Sequence, residues 1–184
     1  MNSNKQATAA KVAMAADSMN ELRLEAARKR LAESLDEEDA IEGLREIVAN
    51  LLGCEEIGLF KVAPDGKTFS VCWSFGADLE NYDLFRALGN AGRQQVMRGQ
   101  CHVAAEDRAS GMAMGQAFVP IRLANQTVGI LAILRLLPQK AAFDAHDMEL
   151  FKLLSDEAAA PLFPSTSRSI NRSKAVKERP GIKP

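Results

Sequence analysis

Three cysteines, two histidines and a group of arginines are the side chains of this chain best suited to chemistry. Two thiols gathered around a pocket can reduce a substrate, one thiolate attacking and the other resolving the intermediate. Cys54, Cys72 and Cys101 are odd in number, widely spaced and without a C-x-x-C pair, so they indicate neither a disulfide framework nor a zinc site. The default for such residues is a buried, reduced thiol. His102 and His146 cannot by themselves supply a three-ligand metal centre, and no metal or cofactor is identified. His102 can line a pocket beside Asp107 or serve as a hydrogen-bonded structural residue, whereas His146 reads as a surface residue. Arg86, Arg93 and Arg98 can present guanidinium groups to an anion, or form a solvated helix face. Met112 and Met114, flanked by Gly111 and Gly115, make an apolar loop that serves as a pocket lid, a partner surface or simple packing.

The elements that must position these groups are legible from hydrophobic period and caps. Residues 1–18 read as a flexible arm. From Met19 the pattern is helical to about residue 35, with Leu24, Ala27 and Leu31 forming a narrow stripe suited to a helix–helix seam, and hence to a dimer interface. Asp36 caps a second helix whose apolar face is Ile41, Leu44, Val48 and Leu51, and Gly53 suits its left-handed end. Two strand patterns, Ile57–Val62 and Thr68–Phe75, flank the Asp65-Gly66 turn. A less regular helical region, Leu79–Met97, is interrupted by Gly89 and Gly92, and Cys101–Ala104 reads as a short strand. Ala117–Leu136 is a hairpin whose second strand, nearly all apolar from Val128, needs cover on both faces. Asp144 and Asp147 open a last helix, with Phe143 placed to staple onto Met148 and with Pro161 and Pro164 to stop it.

Composition narrows the function classes. The 184 residues are 47% hydrophobic and carry a net charge of -1, enough for one domain with a real core and no global case for nucleic acid. Arg168–Lys183 carries six basic residues against Glu178 alone, so a basic tail over 164–184 is expected to be disordered and to attract nucleic acid, lipid or an acidic partner only weakly. Aromatic content of 5% argues against a nucleotide-stacking surface. The N-terminal residues lack the pattern of a secretory signal, and no apolar run reaches membrane-spanning length, so a cytoplasmic location is expected.

The order helix, two strands, helical insertion, short strand, loop, strand pair, helix resembles the GAF domain over roughly Asp36–Leu162. The pieces that carry the resemblance are Leu52-Gly53-Cys54, Arg98-Gly99-Gln100, Asp107, Val119-Pro120-Ile121 and Val128-Gly129-Ile130-Leu131. It implies an α+β fold over residues 36–163, a central antiparallel sheet with the N- and C-terminal helices on one face and a pocket roofed by helix and loop on the other. Sites are grafted on such folds, so each chemistry is tested separately. The Asn-Lys, Phe and Asp-Glu pattern of cyclic-nucleotide members has no counterpart here. Cys101-His102 matches the Cys-His pair of bilin-binding relatives in type, but it follows Gly99 directly and lacks their aromatic and Asp-rich loop. The cysteine spacing also differs from that of the free methionine sulfoxide reductases.

The sequence reading is therefore a non-enzymatic regulatory or sensor module, homodimeric, acting on a separate output protein. Its ligand site is expected between the sheet and the roof, with Trp73, Phe75 and Phe118 as apolar walls and Arg93, His102 and Asp107 as polar contacts. The alternatives are an adaptor whose pocket is filled by its own side chains, and a thiol-based redox enzyme.

Overall fold

The computed structural model, which describes residues 2–104, 117–164 and 166, runs α1 (Asn2–Ala32), α2 (Glu37–Leu52), β1 (Cys54–Val62), β2 (Phe69–Phe75), α3 (Leu84–Met97), β3 (His102–Val103), β4 (Ala117–Leu123), β5 (Gln126–Leu136), α4 (Ala145–Glu157) and α5 (Ala159–Leu162). The strands form one antiparallel sheet in the order β2-β1-β5-β4-β3. Thr127–Leu134 is buried throughout, as an apolar run at the centre of a sheet must be. Its hairpin with β4 turns through Ala124 and Asn125, both at positive φ (49° and 69°), the twist that suits a two-residue connection.

Alternation along the strands divides the core. Ile57, Leu59, Val119, Ile121, Leu131 and Ile133 face one layer, filled by α1, α2, α4 and α5. Phe60, Val62, Phe118, Ile130, Ala132 and Leu134 face the other, covered by Leu84, Leu88 and Val96 of α3. Strand β2 obeys the alternation only in halves. Leu59 pairs with Trp73 but Phe60 pairs with Val71, so Cys72 is an extra residue, a β-bulge. Phe69 therefore packs with the α3 layer, whereas Trp73 packs with the α2 layer.

Helix α1 is continuous from Asn2, so it includes most of the segment read as an arm as well as the helix expected from Met19. Ala27 and Leu31 are buried and Leu24 is half-buried in the chain's own core. The stripe expected to form a dimer seam is thus spent within the chain, on α2 and α4. Apart from Pro164 and Thr166, the basic tail lies outside the described residues.

Electrostatics fastens α1 to this layer. Arg23 of α1 donates to Asp147 Oδ1 at 2.7 Å and to the Leu51 carbonyl in the last turn of α2, while Lys140 meets Asp147 Oδ2 at 2.7 Å. Asp147 also completes the capping box of α4 with Asp144, as its spacing predicts. Burial alone would push the Asp147 carboxyl up. Hydrogen bonds from Lys140, Arg23 and the Asp144 N–H outweigh it and hold the group below the usual carboxylate value. Phe143 packs edge-on against Phe151, with ring centroids 5.1 Å apart.

Asp147→Ala leaves two cations facing a buried void, and it should cost about 3–5 kcal/mol in chemical denaturation. Because the folded carboxyl titrates below its unfolded value, the stabilisation is present above about pH 4 and is lost as pH falls through the folded pKa. The wild-type stability should therefore fall more steeply below pH 4 than that of Asp147→Asn.

Candidate functional site

The side of the sheet under α3 holds polar groups next to its apolar core. Asp83 caps α3 by accepting from the Arg86 N–H at 3.0 Å, and Gly89 breaks the helix with φ 59°, a value that suits glycine. The second half of α3 then runs to Val96, whose carbonyl accepts from Thr127 Oγ1 at 2.9 Å and so ties the helix end to β5. His102 on β3 stacks on Phe118 across the ladder, with ring centroids 6.2 Å apart. Its Nδ1 lies 2.6 Å from Gln95 Oε1. An amide oxygen only accepts, so Nδ1 carries the proton in this arrangement. The other edge of the ring lies against Gly92, where an added Cβ would meet the imidazole at 2.6 Å.

Of the residues expected to form one pocket, the structure brings together Phe118 and His102. Arg93 is on the same helix but stacks on Phe85, 4.8 Å from its centroid, and Phe85 packs on Phe69. Asp107, Met112 and Met114 lie outside the described residues. Trp73 and Phe75 are not walls of this site. The bulge at Cys72 reverses the facing of the last residues of β2, so Trp73 stacks with Phe75 at 6.4 Å and Arg45 of α2 covers the Phe75 ring. Continuous alternation would have put 69, 71, 73 and 75 on one face, and nothing in the composition of β2 marks the extra residue. Gln95 and Gly92 stand seven and ten residues before His102, on a helix after which the chain turns back at Gly99, and neither residue type marks that relation in the sequence.

The thiols stand apart from this site. Cys54 is in the helix-side core, where burial pushes its pKa up to about 12. Burial raises Cys101 to about 11 and also raises Cys72. A raised pKa leaves little thiolate near neutral pH. Among the described residues there is no cluster of three His, Cys, Asp or Glu placed to hold a metal ion, and no helix long and apolar enough to cross a membrane.

Family comparison agrees with the architecture. The model of the GAF domain family matches residues 36–162, more than half of the chain. The chain belongs to the GAF domain family. Solved structures repeat the fold: the GAF domain of a phosphoenolpyruvate-protein phosphotransferase from Coxiella burnetii has a TM-score of 0.58 at 19% identity, covering 83% of this chain and 98% of its own. The corresponding domain from Acinetobacter has 0.55 at 16%, covering 90% and 98%. A phycoerythrobilin-bound GAF domain from a cyanobacterial phytochrome has 0.53 at 17%, covering 84% and 99%. A comparison with curated proteins found no match. GAF domains are sensory and regulatory modules of signalling proteins, so this GAF chain is of that general kind.

Two measurements test the geometry. Gly92→Ala should displace the His102 ring from Gln95, lowering stability by about 1–3 kcal/mol and shifting the imidazole signals in NMR spectra. In alkylation of the native protein Cys72 should react first, and Cys54 only when the protein unfolds.

Proposed function

We propose that this GAF chain is a non-enzymatic regulatory module of the cytoplasm, working as a homodimer on a separate output protein. The observation that carries the reading is the unlike use of the two sheet faces. One face is committed to α1, α2 and α4, which reach the surface and can couple subunits or partners. The other carries the His102–Gln95 pair and Phe118 under a helix broken at Gly89, a polar foothold for a small ligand in an otherwise apolar layer. Ligand binding there would bias the packing of α3 against the sheet, and the sheet would pass the change to the helix layer as a population shift. The raised thiol pKa values favour this reading over thiol redox chemistry, and three free cysteines suit a reducing compartment.

A second reading, an adaptor without a ligand, draws support from the packing of the α3 layer. Phe60, Leu84, Leu88, Val96 and Phe118 fill it with the chain's own side chains.

A thermal-shift screen of metabolites on the full chain separates the two. A regulatory ligand should raise the midpoint, and His102→Ala should weaken its binding by about tenfold or more, the equivalent of one charge-assisted or buried hydrogen bond. Absence of any ligand, with a dimer in light scattering, would favour the adaptor. Since Trp73 is the only tryptophan and packs with the α2 layer, a change in its emission on ligand binding would report transmission through the sheet rather than contact with the ligand.

A further inference from the structure

Two helices end beside the β4–β5 hairpin, one from each side of the sheet. Helix α3 closes at Gly99, whose φ of 77° is the left-handed value that ends a helix, and Thr127 Oγ1 pins its last turn by donating to the Val96 carbonyl at 2.9 Å. Helix α4 ends at Glu157. Arg122 of β4 stands between the two ends. The register of the hairpin shifts after Ile121, which sets Arg122 opposite Thr127. Its side chain lies over Gly99 so closely that an added Cβ there would meet Nε at 2.7 Å and Cδ at 2.9 Å. Beyond that contact the guanidinium donates to Asp156 of α4 at 3.2 Å and to Asn125 of the hairpin turn at 3.3 Å. The chain after Gly99 follows the same path, since Cys101 packs against the helix-side layer, where burial and then Asp156 raise its thiol pKa.

The last turn of α4 needs that cation. It carries Asp156 and Glu157 and no basic residue, so two carboxylates stand at the negative end of the helix dipole. Pro161 adds a second weakness, because it has no N–H to offer the Glu157 carbonyl, and α4 gives way to the short α5 at Ala158. Both carboxylates are answered from outside the helix, Glu157 by Arg28 of α1 at 3.1 Å and Asp156 by Arg122. Arg28 belongs to the layer that α4 itself occupies, whereas Arg122 rests on the turn that ends α3.

We propose that Arg122 is a clamp through which the end of α3 controls the α4–α5 junction. When the last turn of α3 shifts, the side chain seated on Gly99 moves with it, Asp156 loses its cation, and the last turn of α4 loosens. This rests on the regulatory reading above and gives its transmission a route around the end of the sheet.

Native-state hydrogen exchange on the full chain tests the clamp, read at the Ala158 N–H, which donates to the Leu154 carbonyl at 3.1 Å. Arg122→Gln should speed exchange there by about two- to fivefold, the worth of one partly exposed ion pair. Thr127→Val frees the Val96 carbonyl with little change of shape and loosens the end of α3 without touching α4. It should speed exchange at Ala158 by a similar factor in the parent chain and by none in the Arg122→Gln background. Gly99→Ala, which displaces Arg122 directly, should show the same pattern and serves as the input if Thr127→Val leaves exchange at residues 96–99 unaltered. The clamp is overturned if Arg122→Gln leaves exchange at Ala158 unchanged, or if the α3 variants speed it equally in both backgrounds. The second of these results keeps the regulatory coupling and assigns it another route. No effect of the α3 variants at Ala158 in either background, with exchange at 96–99 accelerated, removes the clamp and the coupling together.

Discussion

Strand β5 is apolar on both sides, and from that one constraint the architecture follows. A strand with Ile130, Ala132 and Leu134 on one face and Leu131 and Ile133 on the other loses burial if either side meets water. Two layers are obligatory, and the chain builds them unequally. The helix-side layer draws on both ends of the domain, with α2 arriving before the sheet and α4 after it. Among the described residues, the helix that covers the opposite layer is inserted between β2 and β3, broken at Gly89 and pinned by Thr127 to its end.

The helix-side layer is welded by charge at one point. Asp147 serves at once as a cap for α4, a counterion for Lys140 and the anchor for Arg23, whose guanidinium also takes the Leu51 carbonyl in the last turn of α2. Four pieces of backbone thus meet at one carboxylate. Such a cluster adds little stability over an apolar replacement, because the charges must leave water, but it dictates which surfaces meet and in what register. In this chain it dictates where α1 lies.

Much of the fold could be read from residues whose meaning is local. Asp36 and Asp144 cap the helices they were expected to cap, Asp65-Gly66 turns the first hairpin, and the apolar run of β5 announced a two-sided sheet. The errors came where a tertiary choice overrode a local pattern. Leu24, Ala27 and Leu31 have the spacing of a seam between helices, but spacing does not say whether the second helix belongs to the same chain. Trp73 and Phe75 were expected beside Phe118 because a strand alternates, and the bulge that turns them away has no mark in the residues around it. His102 was found, whereas its partner Gln95 was not, since an uncharged amide on a helix surface has no signature until the helix turns back at Gly99.

The same bulge has a bearing on colloidal behaviour. From Phe69 to Phe75 the edge of the sheet is a run of aromatic, branched and hydroxyl residues with no charge and no proline, the composition from which intermolecular strand stacking grows. An unbroken strand of that kind would present a straight row of free amides to any passing chain. The extra residue at Cys72 puts that row out of step midway and twists the rim, so a second strand cannot pair along its full length. One residue inserted into a hairpin thus shortens the stretch along which another chain can pair at this edge.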